Sequence, residues 1–145
     1  MTPIDRIQCP AVPDLPTATW TNAYRIGQEV VLSGMTAHPA SRDAAQRGAP
    51  LDAYAQALMV LRKLEALVQA AGGHRHNIVK TVVYVTDIAD KEGVGRARRE
   101  FFGAHTPTST LVAVRGLVFP ELCVEVDAWA RLDVDLRQAV PLAAA

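Results

Sequence analysis

Ile78-Val79-Lys80-Thr81-Val82-Val83-Tyr84-Val85 decides the fold. It is short, rich in β-branched residues and without a break, which reads as a strand buried on at least one face. Upstream, Leu51, Tyr54, Ala55, Leu58, Leu61, Leu64, Leu67 and Val68 recur in steps of three and four, the spacing of a helix with one apolar side. Gly72-Gly73 stops that helix. Downstream, Asp87 to Asp90 supply caps for a second helix running to Phe102, with Val94, Ala97, Phe101 and Phe102 inward and Arg96, Arg98, Arg99 and Glu100 outward.

Working further out, two strands are expected near Thr108 to Val114 and Leu122 to Leu132, separated by Arg115-Gly116 and Phe119-Pro120. Towards the N-terminus, Tyr24 and Ile26 precede Gly27-Gln28, and Val30, Val31 and Leu32 follow it, the pattern of a hairpin. Residues 34–50 read as loop. The order is ββαβαββ, an α+β chain whose mixed sheet carries two helices on one face, because the first helix must return the chain to lay the third strand beside an earlier one. Two helices cannot screen both sides of such a sheet, so the other face calls for a further subunit.

Residues 1–145 read as one domain. Within it, 1–19 form a Pro-rich arm (Pro3, Pro10, Pro13, Pro16) that is extended and not helical, and 133–145 form a frayed tail. Lys plus Arg and Asp plus Glu balance at 15 each, which argues against a nucleic-acid or acidic-membrane partner held by bulk charge. The cluster Arg96, Arg98, Arg99 is diluted by Glu92 and Glu100 and reads as a solvated helix face. Cys9 and Cys123 match no metal or redox spacing, and no run of about 18 apolar residues occurs. The expectation is a soluble, cytoplasmic chain. No cofactor is signalled: there is no Gly-rich phosphate loop, and no lysine in a setting that suggests a Schiff base. His74 and His76 share a turn without a third ligand, so no metal site is expected either.

Several segments together are similar to one family. Trp20-Thr21-Asn22-Ala23 resembles its Tyr-Ser-x-Ala entry, Val31-Leu32-Ser33-Gly34 its Ser-Gly strand end, and Gln56 with Leu61, Leu64 and Gly72 its first helix. Ile78-Val79-Lys80-Thr81 with Val85-Thr86-Asp87, Phe101-Phe102, Pro107-Thr108 with Thr110, and Val124-Glu125-Val126-Asp127-Ala128 continue the match in order across residues 20–131. On these segments the chain resembles the RidA/YjgF enamine and imine deaminases, also called L-PSP endoribonuclease-like proteins. The resemblance implies a chorismate-mutase-like fold, a homotrimer and pockets between subunits that take a small imine or enamine acid.

In the resembled deaminases an arginine of a Pro-x-Arg-Ser/Thr motif grips the substrate carboxylate, a task suited to a planar guanidinium. The matching residue here is Ser109, with Gly34 and Leu111 as the neighbouring backbone positions. A neutral hydrogen bond contributes about 0.5–1.5 kcal/mol and one to a charged group about 1.5–3, so the usual 2-imino-acid deamination is expected to be weak or absent. Gly95 stands where some members carry an asparagine. Glu125 matches the glutamate that positions a water for attack on the C=N carbon; alternatively it is an interface glutamate.

Strand alternation puts Cys123, Glu125 and Asp127 on one side, so Cys123 either lines the pocket or packs structurally. Trp20 offers a flat apolar wall suited to a ligand larger than a two- or three-carbon imine, or packs beneath the arm. Ser33 and Thr110 flank the cleft and either touch ligand or tie backbone. The expected function is a divergent small-molecule hydrolase, the alternative a non-catalytic metabolite-binding trimer. The charge balance and the lack of an acid–base histidine pair disfavour a ribonuclease.

Overall fold

The computed structural model describes residues 1–143. The helical pattern becomes α2 (Ala53–Ala70), which starts after Asp52, whose carboxylate accepts from the Ala55 N–H at 2.8 Å. Leu51 lies just outside it. The second helical pattern becomes α3 (Lys91–Phe102), entered through a 3-10 turn that Asp87 caps. Gly103, at φ 66°, ends α3 in the left-handed region that a side chain disfavours.

Among the described residues six strands form one sheet: β1 (Ile4–Arg6), β2 (Ala23–Ile26), β3 (Glu29–Thr36), β4 (Ile78–Val85), β5 (Thr108–Ala113) and β6 (Val124–Arg131), in the order β1-β2-β3-β6-β4-β5. Only β4 and β5 run parallel, joined through α3, since a parallel pair needs a long crossover. Two expectations are corrected and one, the extended N-terminal arm, is refined. The third strand of the sequence pattern, β4, lies beside two later strands, because β6 enters between β3 and β4 and there pairs antiparallel on both sides. The start of the Pro-rich arm is itself a strand, with Ile4 opposite Ile26. Residues 34–50 are not all loop: β3 continues to Thr36, and a short helix, α1 (Ala40–Gln46), follows.

α2 packs on β3 and β6 and against α3. Val30, Leu32, Met35, Val83, Val85, Val124, Val126, Ala128 and Ala130 from the strands close one core with Leu61, Leu64, Leu67 and Val68 of α2 and Val94, Ala97 and Phe101 of α3. Each large aliphatic chain buried in this way contributes about 1.5–3 kcal/mol. Among the described residues no helix packs on the opposite face of the sheet. Tyr24, Val31, Val112 and Trp129 stand on it and are more than a third exposed.

The first part of the tail, Val134 to Gln138, is tied down rather than frayed. The Asn77 side chain donates to the Val134 carbonyl at 2.7 Å, and Asp135 caps a 3-10 turn over Leu136–Gln138. Residues 144 and 145, the end of that tail, lie outside the described residues.

Candidate functional site

β6 carries the acidic pair. Val124, Val126 and Ala128 point into the core, so Glu125 and Asp127 point to the open face, each opposite a β4 residue of that same face, Tyr84 and Val82. The start of β6 is held by Gln56 of α2, which is wholly buried. Its amide donates to the carbonyls of Leu51 (3.0 Å) and Glu121 (2.9 Å), and its carbonyl accepts from the Cys123 N–H at 3.0 Å. Every polar atom of that amide therefore fixes a segment next to the strand.

A β-bulge in β3 makes room for the acids. Leu32 pairs with Ala128 and Met35 with Val126, so three steps on β3 match two on β6 and one residue of Ser33-Gly34 is extra. A Cβ on Gly34 would collide with Glu125 Oε1 and lie 2.8 Å from Asp127 Oδ1. Both carboxylates lie against the bare glycine backbone. Asp127 accepts from the Tyr84 hydroxyl at 2.9 Å, a bond that raises the phenol above its ordinary range. Burial first, and then the neighbouring Asp127, push the half-buried Glu125 carboxyl above the usual carboxylate range.

Ser109 lies on the other side of the sheet. It pairs with Thr81, whose side chain is buried on the helix side, and its Oγ accepts from Thr81 Oγ1 at 3.1 Å and from Arg98 Nη1 at 2.8 Å. Leu111 follows on the same side and packs against the core. Thr110, between them, faces the open side and accepts from Lys80 Nζ at 3.0 Å. A single chain therefore does not bring Ser109 and Glu125 into one cleft, and a pocket using both needs two copies.

Cys123 departs from the expected alternation. It precedes the first residue of β6 and packs against the helix-side core rather than beside Glu125. Burial, with Asp90 and Asp52 nearby, pushes its thiol up to about 11, a poor setting for a thiolate nucleophile. Ser33 ties backbone: its Oγ donates to the Thr21 carbonyl at 2.6 Å. Trp20, in the bend before β2, is 52 % exposed and does not pack away beneath the arm. His74 caps a 3-10 turn, His76 meets His105 edge-on, and His38 packs on Phe119. Among the described residues no cluster of three or more His, Cys, Asp or Glu is arranged to hold a metal.

Sequence reasoning missed two cations. Lys63, an ordinary helix lysine by pattern, is half-buried and donates to the carbonyls of Thr36 (2.7 Å) and His38 (2.6 Å), fixing the end of β3; burial lowers its pKa. Arg98 is not on a solvated face but half-buried against Ser109. Three arginines within four residues were the available signal.

Residues 12–132 match the family model described as endoribonuclease L-PSP. The chain belongs to that family, the RidA/YjgF proteins. Its fold is similar to the crystal structure of PA3499, a protein of unknown function from Pseudomonas aeruginosa, at TM-score 0.94 and 62% identity over 97% of this chain and 100% of that one. It is also similar to the YjgF gene product of E. coli, at TM-score 0.73 and 27% identity over 88% of this chain and 98% of that one. Among curated relatives, the 2-iminobutanoate/2-iminopropanoate deaminase of Escherichia coli (strain K12) is 38% identical over 89 residues, 61% of this chain. That match spans 59% of the relative's own length. No helix among the described residues is long and apolar enough to cross a membrane.

Proposed function

We propose that this RidA-family protein is a homotrimeric hydrolase of small imines or enamines, acting in pockets between subunits, with low activity on the shortest 2-imino acids. The observation that carries the reading is Glu125: a half-buried carboxylate with a raised pKa, seated over the Gly34 backbone on a sheet face that no helix covers. A carboxyl shifted towards neutrality exchanges protons more readily than an exposed glutamate. In the proposed reaction Glu125 accepts a proton from water as the oxygen attacks the C=N carbon. It returns that proton to the nitrogen to give a carbinolamine, whose hydroxyl proton then passes through Glu125 to the nitrogen as the C–N bond breaks, ammonia leaves and a carbonyl remains. An enamine first takes up a proton at carbon to become the imine.

The open face and the separation of Ser109 from Glu125 both support a pocket built from two copies. Trp20 supports a ligand of more than three carbons. The supported substrate class also fits the deaminase relatives. Ammonia release from imines generated in situ tests the chemistry. Turnover of 2-iminopropanoate is expected near background and that of larger imines above it, with E125Q lowering the latter by about 10²–10⁴-fold. An E125Q variant as active as its parent would sink the role given to that residue. A monomer in sedimentation would sink the shared pocket. Ser109 in the arginine position favours one alternative, a metabolite-binding trimer without catalysis, which becomes the better account if acids bind and no imine is turned over.

A further inference from the structure

We propose that Arg98 and Arg99 of α3, together with Ser109 of β5, form an anion subsite that takes the carboxylate of a small organic acid. The guanidinium absent from the strand is supplied from the helix, set back behind Ser109, so that a three-carbon acid is held by its carboxylate without presenting its reacting carbon to Glu125. This deepens the reading above by naming the group that anchors the ligand, and it rests on that reading only for the purpose of the pocket.

A cavity of about 260 Å³ lies between the C-terminal half of α3 and the start of β5. Arg98, Arg99 and Ser109 give it polar lining, Phe102 and Pro107 give it apolar walls, and no acidic side chain lines it. Arg6, Arg42, Arg75, Arg131 and Arg137 each have a carboxylate within 4.0 Å. Among the described residues Arg98 and Arg99 have none, as is true also of Arg25, Arg47, Arg62, Arg96 and Arg115; what sets this pair apart is that both line one cavity without an acidic side chain. Two arginines neighbouring in sequence, Arg98 half-buried and Arg99 exposed, thus line a cavity without a counter-ion; burial and the neighbouring Arg99 hold the Arg98 guanidinium below the usual arginine range. An entering anion relieves both effects.

Ser109 completes the donor set. Its Oγ accepts from Thr81 and from Arg98, which occupies both lone pairs and leaves its own O–H to donate. Gly95 keeps the cavity open: a Cβ there meets only Arg99 Nη1, at 3.6 Å, so a side chain would fit and would occupy the space. The combination of fork donors, a hydroxyl and apolar walls favours a planar carboxylate on a short carbon body over a phosphate.

The test is titration of the full chain with pyruvate, with pyruvamide as its neutral counterpart and with inorganic phosphate, followed by calorimetry or amide NMR. Pyruvate is expected to bind at least tenfold more tightly than pyruvamide. R98Q should weaken pyruvate at least tenfold and leave pyruvamide unchanged. R98K, which keeps the charge and loses the fork, should fall between, and thermal melting of both variants checks that they fold. A double variant, R98S with S109R, returns the guanidinium to the strand and should recover pyruvate binding. Equal binding of pyruvate and pyruvamide, undiminished binding in R98K and R98Q, or phosphate held more tightly than pyruvate through the same arginines would each overturn the assignment. Loss of the subsite and loss of the hydrolase reading are separable. Pyruvate binding that fails while Glu125-dependent ammonia release persists removes only the subsite, and binding without any turnover removes only the hydrolase.

Discussion

The two faces of the sheet differ in kind. The helix side is aliphatic and closed: Val30, Val83, Val85, Val124 and Ala128 are each 1 % exposed or less. The open side interleaves Glu125, Asp127, Tyr84 and Lys80 with exposed Val31 and Trp129, which pair across β3 and β6. One strand serves both, since alternate residues of β6 build the core and carry the acidic pair. A large side chain on the first face holds the molecule together, and the second face accommodates charged and polar side chains.

That contrast can be broken in order of size. Leu64→Ala, in the wholly buried core, is expected to cost about 2–5 kcal/mol in denaturant unfolding; a loss below 1 would show the helix side is looser than described. Trp129→Lys on the open side should leave the helical circular dichroism intact and shift sedimentation towards monomer, removing about 1.5–3 kcal/mol of burial at each copy. An unchanged oligomer would mean that this face is not covered by another copy. Gly34→Ala forces the Glu125 and Asp127 carboxylates off the bulge, at about 1–3 kcal/mol in stability, with imine turnover falling further than stability does.

The smallest effect is a pH dependence. Glu125 has a folded pKa above its unfolded value, so the native state binds more protons between the two, and stability falls as pH rises from about 4.3 through the folded value. E125Q removes this term. The variant should unfold at higher denaturant than its parent at neutral pH, and the difference should vanish below about pH 4. A difference that instead grows on acidification would show that the carboxyl is stabilised as an anion.

The helices and the central strands were legible because Leu61, Leu64 and Leu67, or Val124, Val126 and Ala128, repeat with the period of their element. α1 was not legible, because its buried residues are Ser41 and Ala44, too small to give an apolar stripe. β1 was hidden among prolines, and its three residues are exposed. The place of β6 between β3 and β4 is a long-range pairing that no local period encodes. At the site, Glu125 and Gly34 could be read from their motifs. Arg98 showed only as one of three arginines within four residues; its place did not, since its partner Ser109 is eleven residues away on another element and a helix arginine ordinarily extends into water.

The bulge at Ser33-Gly34 also separates what can be lost from what cannot. Leu32 and Met35 both face the core across three steps of chain. Deleting Gly34 would leave them two apart, in ordinary alternation, and every apolar contact of β3 could stay in register with β6. The carboxylates of Glu125 and Asp127 would then lose the side-chain-free backbone they lie against. A single codon thus separates the register of the sheet from the seat of its acidic pair: a chain lacking that glycine could keep the architecture and lose the seat.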